Sequence, residues 1–417
     1  MTYLLGFYSV AILTSMAAME LGAWSLVGFV VYRWVRGDKY IRLGPDIWIL
    51  GLLLTALVSL WLSPVPQATF QLADKLRWIL VLYAVAWAWS QQTREQTFRL
   101  LRLMIVVGAV SAIYAFVEFY WGLEFFRSRR ILNQMGPLFR ASGFYNLSLT
   151  FAYVIGMLGF LCAGRFWAMP FNEWRLKDNR IWLTGVLSGL AGCVFSLTRG
   201  SWVAILITSA LILLLVKPKR ILPVLGSFIF LFLAGMAING SFRERVLSIG
   251  DLGERTNQHR MIIWQGHWEV FKSHPFFGVG FGVNGFVSPD YFDRSRGFTT
   301  QQVEEFYKSV TVVRPEFYTH AHNNFLHLLA GTGIVGFLCY FMFISYFLLL
   351  AWRTYKGAQD KKDTFCANLA LGLFGAQLFF HVGGLTEANF FDGEVNHMLV
   401  YLWGLLVATH QRVVEAV

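Results

Sequence analysis

Apolar residues gather in runs of about 17 to 25 along the whole chain, and each run is long enough to cross a hydrocarbon core of about 30 Å as a helix. The pattern predicts helical spans near residues 3–17, 19–33, 46–64, 74–91, 99–120, 147–164, 181–197, 201–216, 220–238, 323–350, 365–385 and 394–411. Alternating segments of about ten residues, the mark of a membrane barrel, are absent, so the expected class is all-α. The first two spans share one apolar stretch, broken around Glu20 and Gly22. A single long tilted helix there would reverse the side of the N-terminus. Met1–Leu5 lacks a basic lead and the stretch behind it is too long for a signal peptide core, so it reads as a permanent anchor. The expected architecture is a polytopic transmembrane helical bundle. Spans one to nine occupy residues 1–238, a large outer loop occupies 239–322, and spans ten to twelve occupy 323–417.

Composition supports a bilayer. The 417 residues are 56% hydrophobic and 14% charged, too apolar for a soluble domain of this length. The formal net charge of +11 would suit nucleic acid, but the basic residues are spread over short loops, and no nucleic-acid partner is expected. Their distribution follows membrane orientation. Arg33, Arg36, Lys39 and Arg42 fill one loop; Arg94, Arg99 and Arg102 the next on that side; then come Arg165, Arg175, Lys177 and Arg180. Lys217, Lys219 and Arg220 follow, with Arg353, Lys356, Lys361, Lys362 and Arg412 towards the end. These mark the cytoplasmic side. Loops 65–73 and 384–393 have no Lys or Arg and belong outside.

Some basic residues break the rule. Lys75, Arg77, Arg127, Arg129, Arg130, Arg140 and Arg199 fall on the outer side, as do those of the long loop. Outward arginines can pair with lipid phosphates or with carboxylates such as Glu124 and Glu254. Arg140, Arg199 and Arg260 taken together read as an anion site, because a guanidinium binds phosphate through a planar fork and stays charged. A polyprenyl pyrophosphate is the anion suited to that plane.

Within the long loop, Met261, Trp264, Trp268 and Phe271 recur at helical spacing, predicting a helix from Asn257 to Phe271 that carries Arg260 and His267. Asn257 would cap it and His274–Pro275 would end it. Gly278–Gly282 reads as a turn-rich return to the membrane, without the context of a nucleotide loop. The loop then closes on Tyr318-Thr319-His320-Ala321-His322-Asn323-Asn324-Phe325-Leu326-His327. These histidines share no helical face and have no acidic neighbour, so a zinc site is disfavoured. Cys162, Cys193, Cys339 and Cys366 lie in apolar runs without metal spacing and read as buried thiols, so no metal or other cofactor is expected. A neutral histidine near phosphate-holding arginines suits general base catalysis. The bland alternative is an interfacial belt with Tyr318 and Phe325. Transport would call for ionisable groups near the midplane, where Glu20, Glu118 and His381 are the candidates, or for repeated halves, and no repeat is visible.

The closing residues carry a further pattern. His322-Asn323, nine residues, then Gly333-Ile334-Val335-Gly336 resembles the signature of the O-antigen ligase family, and Thr198-Arg199-Gly200 and His274–Gly280 also look like that family. The resemblance implies a GT-C-type glycosyltransferase of the bacterial inner membrane, acting on the periplasmic face. Its donor would be a glycan on undecaprenyl pyrophosphate and its acceptor a hydroxyl of the lipid A-core, with membrane lipids around both. It implies that His322 is the base of an inverting, metal-independent transfer, that Arg199 and Arg260 receive the leaving phosphate, and that Asn323, Asn324 and His320 support the site. Gly333 and Gly336 would allow close helix packing below it. The same architecture serves O-antigen and exopolysaccharide polymerases and protein O-oligosaccharyltransferases. The added outer region usual in the last group is missing here, which favours the ligase.

Overall fold

A computed structural model describes residues 1–39, 41–63, 76–126, 132–169, 173, 177–251, 253–282 and 320–415. Lys75, Arg127, Arg129, Arg130, Arg175, Tyr318, Thr319, loop 65–73 and the start of the fourth span lie outside the described residues.

Each apolar run contains a helix. In chain order these are α1 (Thr2–Thr14), α2 (Met16–Val35), α3 (Asp46–Leu62), α4 (Trp78–Ser90), α5 (Arg94–Trp121), α6 (Ser148–Ala163), α7 (Arg180–Phe195), α8 (Arg199–Val216) and α9 (Ile221–Ile238). Two helices of the long loop follow, α10 (Gly240–Leu247) and α11 (Arg255–Ser273), and then α12 (Asn324–Asp360), α13 (Thr364–Gly383) and α14 (Gly393–Glu415). A two-residue hairpin, β1 (Gln134–Met135) and β2 (Leu138–Phe139), lies between α5 and α6. Among the described residues five helices are long and apolar enough to cross a membrane: Arg94–Trp121, Arg199–Val216, Pro218–Ile238, Asn324–Asp360 and Thr364–Gly383. Five shorter apolar helices have 10–17 residues.

The first apolar stretch divides in two, but at Ser15 rather than around Glu20 and Gly22. Ser15 is extended (φ −154°, ψ 124°) and its hydroxyl accepts from the Ala18 N–H at 3.4 Å, an N-cap that starts α2. The chain doubles back there, so that Gly22 lies against Phe7 and Tyr8. Helices α6, α13 and α14 form the core, with nearly all of their facing residues buried. Helix α7 approaches α6 where glycine meets glycine: a Cβ on Gly189 would stand 2.6 Å from Cα of Gly159. Small residues of this kind let backbones pack closely where lipid supplies no hydrophobic drive. Cys162, Cys193 and Cys366 are buried, while Cys339 is partly exposed.

The helix expected within the long loop forms, but its cap differs from expectation. Glu254 caps α11 by accepting from the Asn257 N–H at 3.1 Å, and Asn257 spends its own amide on the carbonyls of Ser248 and Asp251 at 3.0 and 2.8 Å. A carboxylate at the start of a helix also meets the positive end of its dipole. The return segment after α11 docks on α12. Val279 and Gly280 donate to the carbonyls of Ala330 and Gly331 (3.2 and 2.9 Å), and Ile334 and Val335 donate to those of Pro275 and Phe276 (2.8 and 3.3 Å). These partners are available because α12 breaks at Gly333, whose φ of 64° and ψ of −169° are not helical.

A Cβ on Gly333 would lie 2.3 Å from the backbone of Phe276, so this glycine opens the helix to the outer segment rather than packing two helices together. Gly336, by contrast, faces Thr332 and the Thr55 methyl of α3. Gly333→Ala is expected to destabilise the fold by more than about 1 kcal/mol, since both the backbone angle and the space are denied. A thermal melt in detergent checks this, and an unchanged midpoint would show that the break does not depend on glycine.

Candidate active site

Five chain segments meet at one cavity, and each is held by local bonds that the sequence supplies. After β2, Ser142 and Gly143 donate their N–H groups to Glu118 Oε2 at 2.8 and 2.7 Å, and Ala141 donates to the Phe195 carbonyl at 3.0 Å. The buried carboxylate of Glu118, considered above as a transport residue, thus fixes the turn beside Arg140 at the end of α5. Between α7 and α8 the chain turns through Leu197, a non-glycine residue at φ 51°, and begins α8 on Arg199. Such angles in a branched residue are uncommon and need a surrounding structure that enforces them. Arg140 Nε donates to the Ser196 carbonyl (3.3 Å) and Arg245 Nε to that of Leu197 (3.1 Å), so both guanidinium groups clasp the same turn. Among the described residues no protein group bonds their terminal nitrogens.

Arg199 is 7% exposed and both its terminal nitrogens are engaged. Nη1 bonds the Ser248 carbonyl at 2.7 Å and its hydroxyl at 2.9 Å, both terminal nitrogens reach Glu254 Oε2 at 3.3 Å, and Nη2 reaches Asn257 Oδ1 at 3.3 Å. The side chain therefore ties the start of α8 to the end of α10 and the start of α11. Arg260, on α11, pairs with Glu387, while its Nε is buried without a partner among the described residues.

Glu387 has a second partner. Its Oε2 lies 3.2 Å from Nδ1 of His322, so one carboxylate spans Arg260 and the histidine. His322 stands at φ 46°, immediately before α12. Asn323 caps that helix by accepting from the N–H groups of Phe325 and Leu326 at 3.0 Å, and its amide donates to the Leu385 carbonyl at 2.9 Å. Fully buried Asn324 donates its N–H to the Gly384 carbonyl at 2.8 Å, accepts from the Phe390 N–H at 3.0 Å, and bonds Asn389. These two asparagines clamp the 384–392 loop onto the start of α12, which places Glu387 beside His322. The His320 ring meets His322 edge-on at 4.3 Å between centroids. His327 accepts from the Ala321 N–H at 3.4 Å and packs on Phe391, bracing the turn from within.

The cavity these groups enclose measures about 630 Å³ and is lined by Arg140, Arg199, Arg245, Arg260, His320, His322, His327, Glu387 and Asp392, among others. It brings together all three expected arginines and the expected base, with His320. Asn323, Asn324, Gly333 and Gly336 are not in its lining. Four arginines face two carboxylates in it. Burial pushes the Arg140 and Arg245 pKa values down, and neighbouring guanidinium groups push further, taking Arg245 to about 10. Glu387 moves the other way. Burial alone would raise its pKa, but the His322 hydrogen bond and the charge of Arg260 oppose it and hold the carboxyl below its usual value. His267, buried behind them, is pushed down to about 4 and stays neutral.

Arg245 and Glu387 were not singled out from the sequence. Arg245 was one basic residue among many in a long loop. Glu387 had a signal: it and Asp392 are the acids of an outer loop with no basic residue to neutralise them.

Residues 182–341 match the family model described as O-antigen ligase. The matched stretch holds Arg199, Arg245, Arg260, His322, Gly333 and Gly336, while Arg140 and Glu387 lie on either side of it. Among curated proteins none matches the chain.

Proposed function

We infer, from the O-antigen ligase family domain that this chain carries over residues 182–341, that the protein transfers a glycan from undecaprenyl pyrophosphate to a hydroxyl of the lipid A-core. On this reading it is a twelve-span GT-C-type enzyme of the inner membrane, and the arginine cavity opens to the periplasm. The loop 384–393, free of basic residues, supports that side for Glu387 and with it the cavity.

The observation that carries the reading is the pairing of a His–Glu dyad with four arginines in one cavity. Glu387 accepts from Nδ1–H of His322, which leaves the lone pair on Nε2 for a proton. As the acceptor oxygen attacks the anomeric carbon from the face opposite the pyrophosphate, its proton passes to Nε2. The bond from that carbon to the phosphate oxygen breaks, its electron pair leaves on the phosphate, and the configuration inverts. Glu387 steadies the imidazolium, and the cations meet the charge that develops on the leaving group. Arg140 and Arg245 offer free terminal nitrogens for that charge. Arg260 adds its unpartnered Nε, and Arg199 lends its field from a braced position. Pyrophosphate is a good leaving group, so positioning, one base and fixed cations suffice without a metal.

The test supplies purified protein with undecaprenyl-pyrophosphate glycan and either lipid A-core or a second donor molecule, with EDTA present, and scores product size. Transfer to lipid A-core that is lost in His322→Ala is the expected result. Chain growth without lipid A-core would make the enzyme a polymerase, and full activity in the variant would remove His322 as the base.

A further inference from the structure

Helix α9 stands apart from the bundle. None of its 18 residues is buried, although it is apolar from end to end. Between it and the neighbouring helices lies a cavity of about 420 Å³, walled by apolar side chains of α5, α7, α8, α9 and α10 together with Leu138 of β2. A smaller pocket of about 60 Å³ continues the same seam, sharing Leu190, Ile205 and Phe228 with the first. It reaches Gly159 and Gly189, where the α6–α7 contact is closest.

The seam begins next to the arginine cavity. Phe195 lines the seam and accepts a hydrogen bond from Ala141, while the following turn, Ser196 and Leu197, accepts those of Arg140 and Arg245. Leu138 stands on the seam two residues before Arg140, and Phe242 stands on it three residues before Arg245 on α10. One turn of chain therefore has guanidinium groups on one side and an apolar channel on the other. A ligand matching both is an amphiphile with a phosphate head and a hydrocarbon tail.

We propose that the seam under α9 is the binding site for the polyprenyl chain of the donor, with the chain entering over the 195–199 turn once its pyrophosphate reaches the arginines. The proposal rests on the donor assigned above and adds the place that recognises its lipid. Its consequence is a dependence on chain length, because the walls of the seam pack against the chain only as far as it extends, and in lipid that packing, not withdrawal from water, is what holds it. A geranyl-length donor would forgo most of the seam.

The experiment compares full-length and geranyl pyrophosphate glycan donors in wild type, Leu206→Trp and Gly235→Phe, both of which fill the seam. Wild type is expected to favour the long donor in kcat/KM, and each variant to erase at least about tenfold of that preference. Turnover of the short donor should stay near the wild-type level, which also shows that the variants fold. Should both variants fail on both donors, a long-chain donor carrying a diazirine along its chain decides on wild type: labelling of the seam-lining residues of α5, α7, α8, α9 or α10 supports the seam, and labelling confined to residues outside it overturns it. An unchanged chain-length preference in an active variant overturns it equally. No turnover of either donor by wild type would instead refute the donor assignment.

Discussion

Alanine at His322 is expected to lower turnover by about 10²–10⁴-fold, the usual worth of a positioned base, and glutamine at Glu387 to reproduce much of that loss with the imidazole intact. The reason lies in the two hydrogen bonds of one carboxylate. Glu387 is 5% exposed and touches both Arg260 and His322. A glutamine in its place can turn either its amide or its carbonyl toward Nδ1, so the imidazole loses the partner that fixes its tautomer, and no negative charge remains to balance the imidazolium. Donor binding should change far less than kcat. The double variant is the decisive measurement. If the two residues work as a unit, His322→Ala with Glu387→Gln is no slower than His322→Ala alone. Losses that multiply would mean that the pair acts independently and that Glu387 serves only Arg260.

Arg199→Ala is expected to cost about 3 kcal/mol of stability, the lower end for removing one partner of a buried ion pair, because Glu254 is a quarter exposed and water can reach it. Activity should fall with it. Without the guanidinium, Ser248, Glu254 and Asn257 lose their common donor, and α11, which carries Arg260 to Glu387, is no longer tied to α8. Arg199→Lys should recover only part, since an ammonium is a single point of charge and cannot span three partners in a plane. The measurements are the thermal midpoint, protease sensitivity of residues 239–282, and the KM for donor. A variant with normal stability and resistance but a raised donor KM would show that this guanidinium binds substrate and does not brace the fold. Arg260→Lys is a cleaner probe of charge delivery, and a fully active Arg199→Lys, Arg260→Lys protein would exclude a need for the guanidinium fork at either position.

Much of this molecule was readable from residue order. The apolar runs dictated a helix in every expected place, because in lipid a helix satisfies its backbone within one segment and needs no distant partner. The outer helix was legible from the spacing of Met261, Trp264, Trp268 and Phe271, and its end from His274–Pro275. Arg140, Arg199 and Arg260 stood out because they oppose the orientation rule, and His322 because of its spacing to Gly333 and Gly336. Each of these signals is local or periodic.

Sequence alone determined that the chain is an apolar helical protein, with basic residues that break the alternation of its loops and a histidine motif. Tertiary structure decided which partners those residues have. Glu387 meets Arg260 across 127 positions and His322 across 65, a contact made by the asparagine clamp and invisible to any periodicity. Arg245 joined the cluster by clasping the Leu197 turn, and Arg199 became a brace because three acceptors converge on it. Gly333 and Gly336 look equivalent in order, yet one breaks a helix to receive a backbone and the other packs against a neighbouring side chain. Hydrophobic period sets where a helix lies, but the pairing of buried charges depends on which segments the folded chain brings within a few ångströms.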